Sequence, residues 1–381
     1  MGEWVHKKLG DESVSKIIMG QSPSSTTYND ENIGMPFLQG CADFGDIYPK
    51  VSVFCKEPLK VAPENSILMS VRAPVGALNR ANVDYIIGRG LCSIIPNVDK
   101  DFLYYYLLQN RNKLEVKAQG STFLAINSSE INNFEIFFPE SLSEQRRIAS
   151  ILSSADKVID STQKLIAKYK SIKQGMMEDL LKPKEGWKKV KLGECCEKIT
   201  DGSHESPVAV LEGYYMPSVK DMSYSSFNFS NCKQISESDY LKLKGLGCKP
   251  EIGDVLIAKD GSILKYCFVM EDDLPIVILS SIAILKPNKQ IMDSNFLSFY
   301  FQKRDVVIDV VENYKSGTGV PRIVLKNFEQ IEITYPISLI EQRRIASILS
   351  SIDKKIESEE KVLEKYKNIK KGLMEKLLKG E

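Results

Sequence analysis

Two long stretches of the chain carry apolar residues at alternating spacings of four and three positions. The first runs from Ile148 to Leu180 and the second from Ile345 to Leu377, and eight of the ten seam positions in each are apolar. This spacing places apolar side chains on one face of an α-helix and is typical of a coiled-coil seam. We therefore predict two long helices. Packing them together, antiparallel about a pseudo-two-fold axis, is the simplest way to bury both seams.

The sequence also predicts where these helices begin and where the first one ends. Ser141-x-x-Glu144 and Ser338-x-x-Glu341 match the capping box, in which the two side chains bind backbone N–H groups of the first helical turn. A proline two residues before each serine disfavours helix upstream. Pro183 is predicted to end the first helix.

The two helices belong to an internal repeat. The segment EQRRIASILSS occurs at 144–154 and again at 341–351, and residues 144–182 match 341–379 at 27 of 39 positions. The two copies also begin with similar residues, at Trp4 and Trp187. These positions are 183 residues apart, whereas the helices are 197 apart, so the second copy holds 14 more residues before its helix. We predict four regions in chain order: a globular region 1–140, a helix 141–182, a globular region 183–337 and a helix 338–381.

The globular regions are predicted to mix α and β structure, which makes the chain an α+β protein. Phe102–Leu114 and Phe296–Val311 have helical periodicity. Turn-rich stretches at 20–32 and 200–207 indicate exposed loops. Short runs rich in Ile, Val and Phe, bounded by Pro, Gly or Asn, are predicted strands. They are Ser66–Val71, Gly90–Ile95, Glu135–Phe138, Val255–Ala258, Ile276–Leu279, Ala283–Leu285 and Ile331–Thr334.

Composition and charge restrict the class of protein. Hydrophobic residues make up 43% of the chain, no apolar run approaches the roughly 20 residues of a membrane span, and the N-terminus lacks the apolar stretch of a signal peptide. Eight cysteines without a CxxC pair suggest a reducing compartment, so we expect a cytoplasmic protein. The net charges of the four regions are −3, +3, −2 and +3. A DNA-binding surface would therefore be confined to one face or completed by partners.

The motifs of several enzyme classes are missing from the sequence. The chain has no Pro-Pro dipeptide, which the catalytic loop of a DNA adenine methyltransferase requires, and no Walker A motif. Asp101, Glu115 and Lys117 could be imagined as a nuclease metal site, but such loose spacing is common on ordinary surfaces. With His6 and His204 as the two histidines, neither a zinc cluster nor a Ser-His-Asp arrangement is predicted. We expect no catalytic, metal-binding or cofactor-binding residues.

Two doubled features carry a family resemblance. They are the Pro-x-x-x-x-Glu-Gln-x-x-Ile junctions at Pro139–Ile148 and Pro336–Ile345, each followed by a long helix. With the loop Asp201–His204 and the strand entry Gly253–Ile257, the chain resembles the DNA-specificity subunits of type I restriction–modification systems. It departs from the family at Ser141 and Ser338, where a second Pro and Leu are common.

The resemblance implies a non-catalytic subunit with two target-recognition domains, 1–140 and 183–337. Each domain would read one half of a split, asymmetric site in double-stranded DNA, and the helices would fix the separation and dock two methyltransferase subunits. Restriction–translocase subunits would complete the complex. S-adenosylmethionine, ATP and Mg²⁺ would then be bound by the partners.

Residues on the outer faces of the helices recur in both copies, which favours docking of two copies of one partner. Recent duplication would give the same match, but the globular regions have diverged much further. The candidate docking residues of the spacer helices are Glu144, Gln145, Arg146, Arg147, Tyr169, Glu341, Gln342, Arg343, Arg344 and Tyr366.

Candidate DNA contacts lie in six polar loops: Gln21–Thr27, Arg72–Arg80, Gly120–Thr122, Gly202–Glu205, Lys259–Lys265 and Gly317–Arg322. Their side chains are of the types that bind base edges and phosphates, although each residue could equally belong to a solvated loop. The candidates are Gln21, Ser22, Ser24, Ser25, Arg72, Arg80, Ser121, Thr122, Ser203, His204, Lys259, Lys265, Thr318 and Arg322. A coiled-coil scaffold without a DNA role is the alternative from another class, and a DNA methyltransferase is the enzyme alternative.

Overall fold

The computed structural model describes residues 3–117, 125–317 and 319–379. The chain forms two compact units, one of Met1–Lys164 with Lys361–Glu381 and one of Leu165–Glu360. Each unit contains a stretch of both long helices, because the unit boundaries fall inside them.

The first unit combines short strands with helices. Its helices are α1 (Lys100–Gln109), α2 (Arg111–Lys117), α3 (Ser128–Asn132), the first part of α4 (Leu142–Leu180) and the end of the long C-terminal helix Leu339–Leu377. Its strands are β1 (Trp4–Lys8), β2 (Ser15–Met19), β3 (Tyr28–Asn29), β4 (Met35–Leu38), β5 (Val53–Cys55), β6 (Val61–Ala62), β7 (Ile67–Ser70), β8 (Leu78–Arg80), β9 (Tyr85–Ile87), β10 (Leu91–Pro96) and β11 (Glu135–Pro139).

Three sheets organise this unit. A four-stranded antiparallel sheet has the order β2-β10-β7-β8, a five-stranded sheet has the order β3-β5-β4-β9-β6, and β1 pairs with β11. The four-stranded sheet packs against α1, where Phe102, Leu103 and Tyr106 are buried. Helix α1 begins after Asp99, whose carboxylate accepts the N–H groups of Asp101 and Phe102 and so caps the helix.

The second unit repeats much of this plan. Its helices are α5 (Glu237–Gly245), α6 (Ser294–Gln302), α7 (Arg304–Tyr314), α8 (Leu325–Gln330) and the first part of α9 (Leu339–Leu377), together with the end of α4. Its strands are β12 (Trp187–Lys191), β13 (Cys196–Asp201), β14 (Tyr214–Tyr215), β15 (Gln234–Ile235), β16 (Val255–Ala258), β17 (Cys267–Val269), β18 (Ile282–Pro287) and β19 (Glu332–Pro336).

The sheet topology shows which elements correspond. The four-stranded sheet of the second unit has the order β13-β18-β16-β17, the counterpart of β2-β10-β7-β8, and β12 pairs with β19 as β1 pairs with β11. The five-stranded sheet of the first unit has no such counterpart, because here the described residues form the two-stranded sheet β14-β15 and α5. The two units therefore share a frame, which consists of the four-stranded sheet and the pair formed by the first and last strands of the unit. They differ in the elements that are inserted into this frame.

The 14 additional residues of the second copy are spread over several connections. The offset is 183 at Trp4 and Trp187, 188 at the starts of β7 and β16, and 191 at the starts of β10 and β18. It reaches 194 at the capping residues of α1 and α6 and 197 at the starts of β11 and β19. The increases between these landmarks fall in the connections. Within β13 the register with β18 also shifts between Cys196 and Lys198, so this strand carries a bulge that β2 lacks.

Helices α4 and α9 pair antiparallel within each unit, as predicted from their seams. In the first unit Met374 and Leu378 of the α9 end share a core with Ile148 and Leu152, and the Lys370 ammonium lies 2.5 Å from the Asp156 carboxylate. In the second unit Lys173 lies 2.7 Å from Asp353. All twenty seam positions are buried or half-buried.

Other predictions need correction. Each of the two predicted shorter helices is a pair, interrupted at Asn110 and at Lys303, where the backbone leaves the helical region. The predicted strand Ile276–Leu279 is wrong: Val277 and Leu279 donate to the Tyr215 and Pro217 carbonyls of one segment, and Ile278 between them donates to Cys248. The segment forms isolated bridges and no ladder. The capping boxes are also incomplete, since the Ser141 hydroxyl contacts Ser143 and Ser338 accepts a weak 3.4 Å bond from Glu341 N–H.

Candidate nucleic-acid interface

The glutamine of each EQRR segment is a buried clamp. Gln145 is 1% exposed, its amide donates to the Pro139 carbonyl at 2.8 Å, and its oxygen accepts the Asp99 N–H at 2.8 Å. Gln342 is 0% exposed and makes the same two bonds, to Pro336 and from Asp293. These bonds join the long helix to the strand before it and to the capped helix of the same unit. Their burial leaves no atom for a partner, so the two glutamines do not belong to a docking surface.

The neighbouring docking candidates are placed differently. Arg146 and Arg343 are exposed and lie 3.9 and 3.8 Å from the capping carboxylates of Asp99 and Asp293. Arg147 binds Glu144 through two nitrogens, and this hydrogen bond lowers the pKa of the Glu144 carboxyl. The other candidates divide by exposure: Arg344 is exposed, and Glu341, Tyr169 and Tyr366 are half-buried.

Three backbone hydrogen bonds gather the candidate DNA loops at one end of the four-stranded sheet in the first unit. Gly20 N–H donates to Leu91 at 2.9 Å, Val71 N–H to Gly90 at 3.0 Å, and Ile126 N–H to Val71 at 3.0 Å. They bring together the loop after β2, the loop after β7 and the chain that leads into α3. These segments are the first loop set.

The second unit repeats all three bonds at equivalent positions. Gly202 N–H donates to Ile282 at 3.3 Å, Lys259 N–H to Ser281 at 3.0 Å, and Ile323 N–H to Lys259 at 3.0 Å. The loops after β13 and β16 and the chain before α8 form the second loop set. The two units thus hold equivalent sets of three segments, which contain five of the six predicted loops. The sixth, Gly120–Thr122, lies outside the described residues.

A glycine is required where each set begins. A Cβ atom on Gly20 would lie 2.1 Å from the Gly88 carbonyl oxygen, and one on Gly202 would lie 2.1 Å from that of Ile278. Both distances are far inside van der Waals contact, so no other residue fits without moving the backbone.

The first loop set presents hydroxyl groups and an arginine. Gln21, Ser24, Ser25 and Arg72 are exposed. Ser22 is half-buried and accepts the Arg89 N–H at 3.2 Å, which fixes the loop against the β9–β10 connection.

Arg80 is engaged inside the first unit. Its guanidinium pairs with Asp101 and lies 4.0 Å from the centre of the Tyr104 ring. Burial is the largest single influence and disfavours its charge, but the hydrogen bond and the electrostatic attraction of Asp101, with the neighbouring Tyr104 and Tyr105, together outweigh it, so the pKa of Arg80 is raised. Because its side chain is 23% exposed and already paired, we do not assign Arg80 to the DNA surface. The sequence did not indicate this pairing, because Asp101 lies 21 residues away on another element.

Lys259 of the second loop set is also buried. Its ammonium lies 3.4 Å from Asp201 and 3.3 Å from Asp260, and its side chain is 7% exposed. His204 lies 3.3 Å from the same Asp201 carboxylate but is 77% exposed. Lys259 therefore organises the loop set from within and leaves His204 at the surface. Its equivalent in the first unit is the apolar Val71.

Three more candidates of the second unit can be placed. Ser203 is buried and exchanges hydrogen bonds with the Glu205 backbone, so it shapes its loop. Arg322 is exposed and forms a backbone bridge with Asp260, which joins two loops of the set. Lys265 is exposed, with its ammonium 5.1 Å from the Tyr266 ring.

Ser121, Thr122 and Thr318 lie outside the described residues. Within the described ranges, no group of three or more His, Cys, Asp or Glu side chains is arranged to hold a metal ion. The same ranges contain no helix with both the length and the apolarity of a membrane span.

Comparisons with known proteins agree with this duplicated architecture. A putative type I restriction enzyme specificity subunit of Methanocaldococcus jannaschii is 42% identical over 182 residues, which are 47% of this chain and 43% of the relative. A second specificity subunit of that organism is 24% identical over an alignment of 421 residues, covering 100% of this chain and 93% of the relative. The crystal structure of the Mycoplasma genitalium type I restriction–modification S subunit has the same fold, with a TM-score of 0.65 at 18% identity over 99% of this chain and 96% of that one.

The family profile matches each copy of the repeat separately. The profile is described as the type I restriction modification DNA specificity domain, and it matches residues 1–170 and again residues 184–368. Together these matches span most of the chain, and each contains one four-stranded sheet with its loop set. The chain therefore belongs to the type I restriction–modification DNA specificity family.

Proposed function

We propose that the chain reads a split, asymmetric DNA site, with each loop set contacting one half. The observation that carries this proposal is the repetition of three backbone hydrogen bonds in both units around side chains that differ. Arg72 in the first set corresponds to Asp260 in the second, and Ser22 to His204. Equivalent frames with different surface chemistry are suited to reading two different sequences.

Helices α4 and α9 fix the spacing between the two half-sites. Their antiparallel pairing in each unit rests on buried seams and on two equivalent ion pairs, Asp156 with Lys370 and Asp353 with Lys173. A rigid spacer of this kind makes half-site separation a property of the protein, as in other proteins that bind paired half-sites.

The exposed faces of the same helices dock two methyltransferase subunits, one near each EQRR segment. The candidate residues are Arg146, Arg147 and their equivalents Arg343 and Arg344, which are exposed in both copies. Restriction–translocase subunits join the complex through these partners. The partners bind S-adenosylmethionine, ATP and Mg²⁺, while this chain supplies sequence recognition and no catalytic group.

Mapping of methylated bases tests this function directly. The chain is co-expressed with its methyltransferase partner in a host that lacks this modification, and the modified motif is read from the genome. We expect a motif of two unlike halves separated by a fixed number of unspecified base pairs. A continuous motif would contradict the proposal, as would binding that does not depend on DNA sequence, which a coiled-coil scaffold would give.

A second assay tests whether S-adenosylmethionine is bound by the methyltransferase partner and not by this chain. Labelled S-adenosylmethionine is mixed with the isolated chain and with the methyltransferase complex. We expect the label to bind the complex and not the isolated chain. Binding to the isolated chain would assign cofactor chemistry to this subunit.

A further inference from the structure

One loop of the second unit exposes aliphatic side chains to an unusual degree. Val208 is 85% exposed and Leu211 is 97% exposed, and Ala209 and Val210 between them are exposed as well. A single exposed aliphatic residue is ordinary, but a contiguous apolar group at a surface commonly marks a contact site. Residues 205–213 are called the apolar loop below.

The apolar loop is held in place at both ends. Glu205 pairs with Lys242 at 2.7 Å, and the Lys233 ammonium donates to the Ser206 hydroxyl at 2.8 Å. At the other end, Val210 N–H binds the Gln234 carbonyl at 3.0 Å and Gly213 N–H binds the Gln234 side chain at 2.8 Å. The aliphatic side chains therefore project from an anchored stem.

The apolar loop continues directly from the second loop set. Ser203 accepts the Glu205 N–H at 3.0 Å and donates to the Glu205 carbonyl at 2.8 Å, so the turn at His204 leads without a break into the loop. In the first unit the corresponding segment exposes the hydroxyl-bearing Ser24, Ser25 and Thr26. By the offset that pairs Ser22 with His204, Thr26 corresponds to Val208, so the stretch after this turn is rich in hydroxyl groups in the first unit and mainly aliphatic in the second.

We propose that Val208 and Leu211 contact the 5-methyl group of a thymine in the half-site read by the second unit. This inference rests on the function proposed above. The thymine methyl is the apolar group on the major-groove edge of the base pairs, and every other recognition group there is a hydrogen-bond donor or acceptor. An aliphatic side chain gains free energy by covering a methyl group, whereas it would leave polar base edges or phosphates without partners. The hydroxyl-rich loop of the first unit suits those polar groups instead.

Replacement of thymine by deoxyuridine, which removes the methyl group alone, tests the contact. The complex of the full chain with its methyltransferase partner is bound to duplexes carrying its motif, with each thymine in the motif and its flanks replaced in turn. We expect at least one replacement, in one half-site only, to weaken binding about fourfold, the effect of one buried methyl-sized group. In Leu211→Ser or Val208→Ser the same replacement should have no effect.

Ile308→Ser is the matched control, since Ile308 lies on α7 of the same unit and is 46% exposed. This variant should keep the full response to deoxyuridine. The inference is overturned if the motif has no thymine in reach, if no replacement weakens binding, or if the loop variants respond like the unaltered chain. Failure of Leu211→Ser to assemble with the methyltransferase would point to a protein contact and would also overturn it. If the unaltered complex binds all sequences equally, the proposed function itself fails.

Discussion

Val71 and Lys259 occupy the same position in the two units, at the point where three loops meet, yet one is apolar and the other is charged. Each donates its N–H to the strand connection beside it and accepts an N–H from the chain before the next helix. Around Val71 the site is filled by apolar packing, whereas Lys259 lies between Asp201 and Asp260. The main-chain frame therefore accepts either chemistry, provided that an apolar side chain has apolar neighbours and a charged one has a counter-ion.

The largest effect is expected when Lys259 of the second unit is replaced by valine, the residue at the equivalent position of the first unit, while Asp201 is kept. Lys259→Val removes an ammonium group that is 7% exposed and leaves the Asp201 carboxylate, 9% exposed, with the exposed His204 imidazole but no buried cation beside it. Loss of one member of a buried ion pair costs about 3 kcal/mol or more. We expect the free energy of unfolding, measured in urea, to fall by that amount.

The matched control is the double variant Lys259→Val with Asp201→Met, which installs the residues found at Val71 and Met19 of the first unit. It should recover most of the lost stability, because no buried charge is left unpaired. A double variant as unstable as Lys259→Val alone would refute the equivalence of the two sites.

A smaller effect, nearly equal in both units, is expected at the glutamine clamps. Gln145→Leu and Gln342→Leu each leave a buried carbonyl and a buried N–H without partners, at a cost of about 2 kcal/mol. Gln342→Leu should cost somewhat more, because that amide also donates to the Ile291 carbonyl at 2.9 Å. Urea unfolding measures both, with the exposed Ser150→Ala as a neutral control. Equal stability of the variants and the unaltered chain would show that the clamps are dispensable.

The exposed arginines should separate the two half-sites. Arg72→Ala is expected to weaken binding about tenfold at one half-site and Arg322→Ala at the other, which is the range for loss of one base or phosphate contact. Competition between duplexes altered in one half reports which half has lost discrimination. If both variants affect the same half, the assignment of one loop set to each half-site is wrong.

The smallest effect is expected at the ion pairs between the helices. Asp156→Asn and Asp353→Asn each remove one partly exposed pair and should cost about 0.5 kcal/mol, less at high salt. Asp156→Ala should cost more than Asp353→Ala, because the Tyr105 hydroxyl also donates to Asp156 at 2.6 Å, whereas Phe299 is the equivalent of Tyr105. Denaturation at two salt concentrations checks both the size and the screening.

Features governed by local pattern could be predicted from the sequence. The predicted seams anticipated α4 and α9, because side chains four and three residues apart must share a helical face. Strand β16 was predicted with its bounds, since Val255–Ala258 is an apolar run between Asp254 and Lys259. Ile276–Leu279 is equally apolar but forms only isolated bridges, because its N–H groups bind two distant segments, at Tyr215 and Pro217 and at Cys248, which no local pattern reveals.

The burial of several polar residues could not be predicted from the sequence either, because their partners lie on other segments of the chain. Gln145, Arg80 and Lys259 are of types that usually face solvent, and each is buried or partly buried through partners distant in the sequence or on another element. The loops themselves were identified from composition. That they form two equivalent sets follows from backbone bonds between segments far apart in the chain.

The bonds that assemble each loop set join main-chain N–H and carbonyl groups, which every residue except proline possesses. These main-chain bonds therefore demand a particular residue only at the entrance glycine, and a few side chains, such as Ser22 and Ser203, add bonds of their own. Under the function proposed above, mutation or recombination could rewrite the surface that contacts DNA while the supporting scaffold stays folded. On that proposal, a lineage carrying such a subunit would acquire a new target without any change in the partner subunits, and grafting loops between the two units would be a route to engineered specificities.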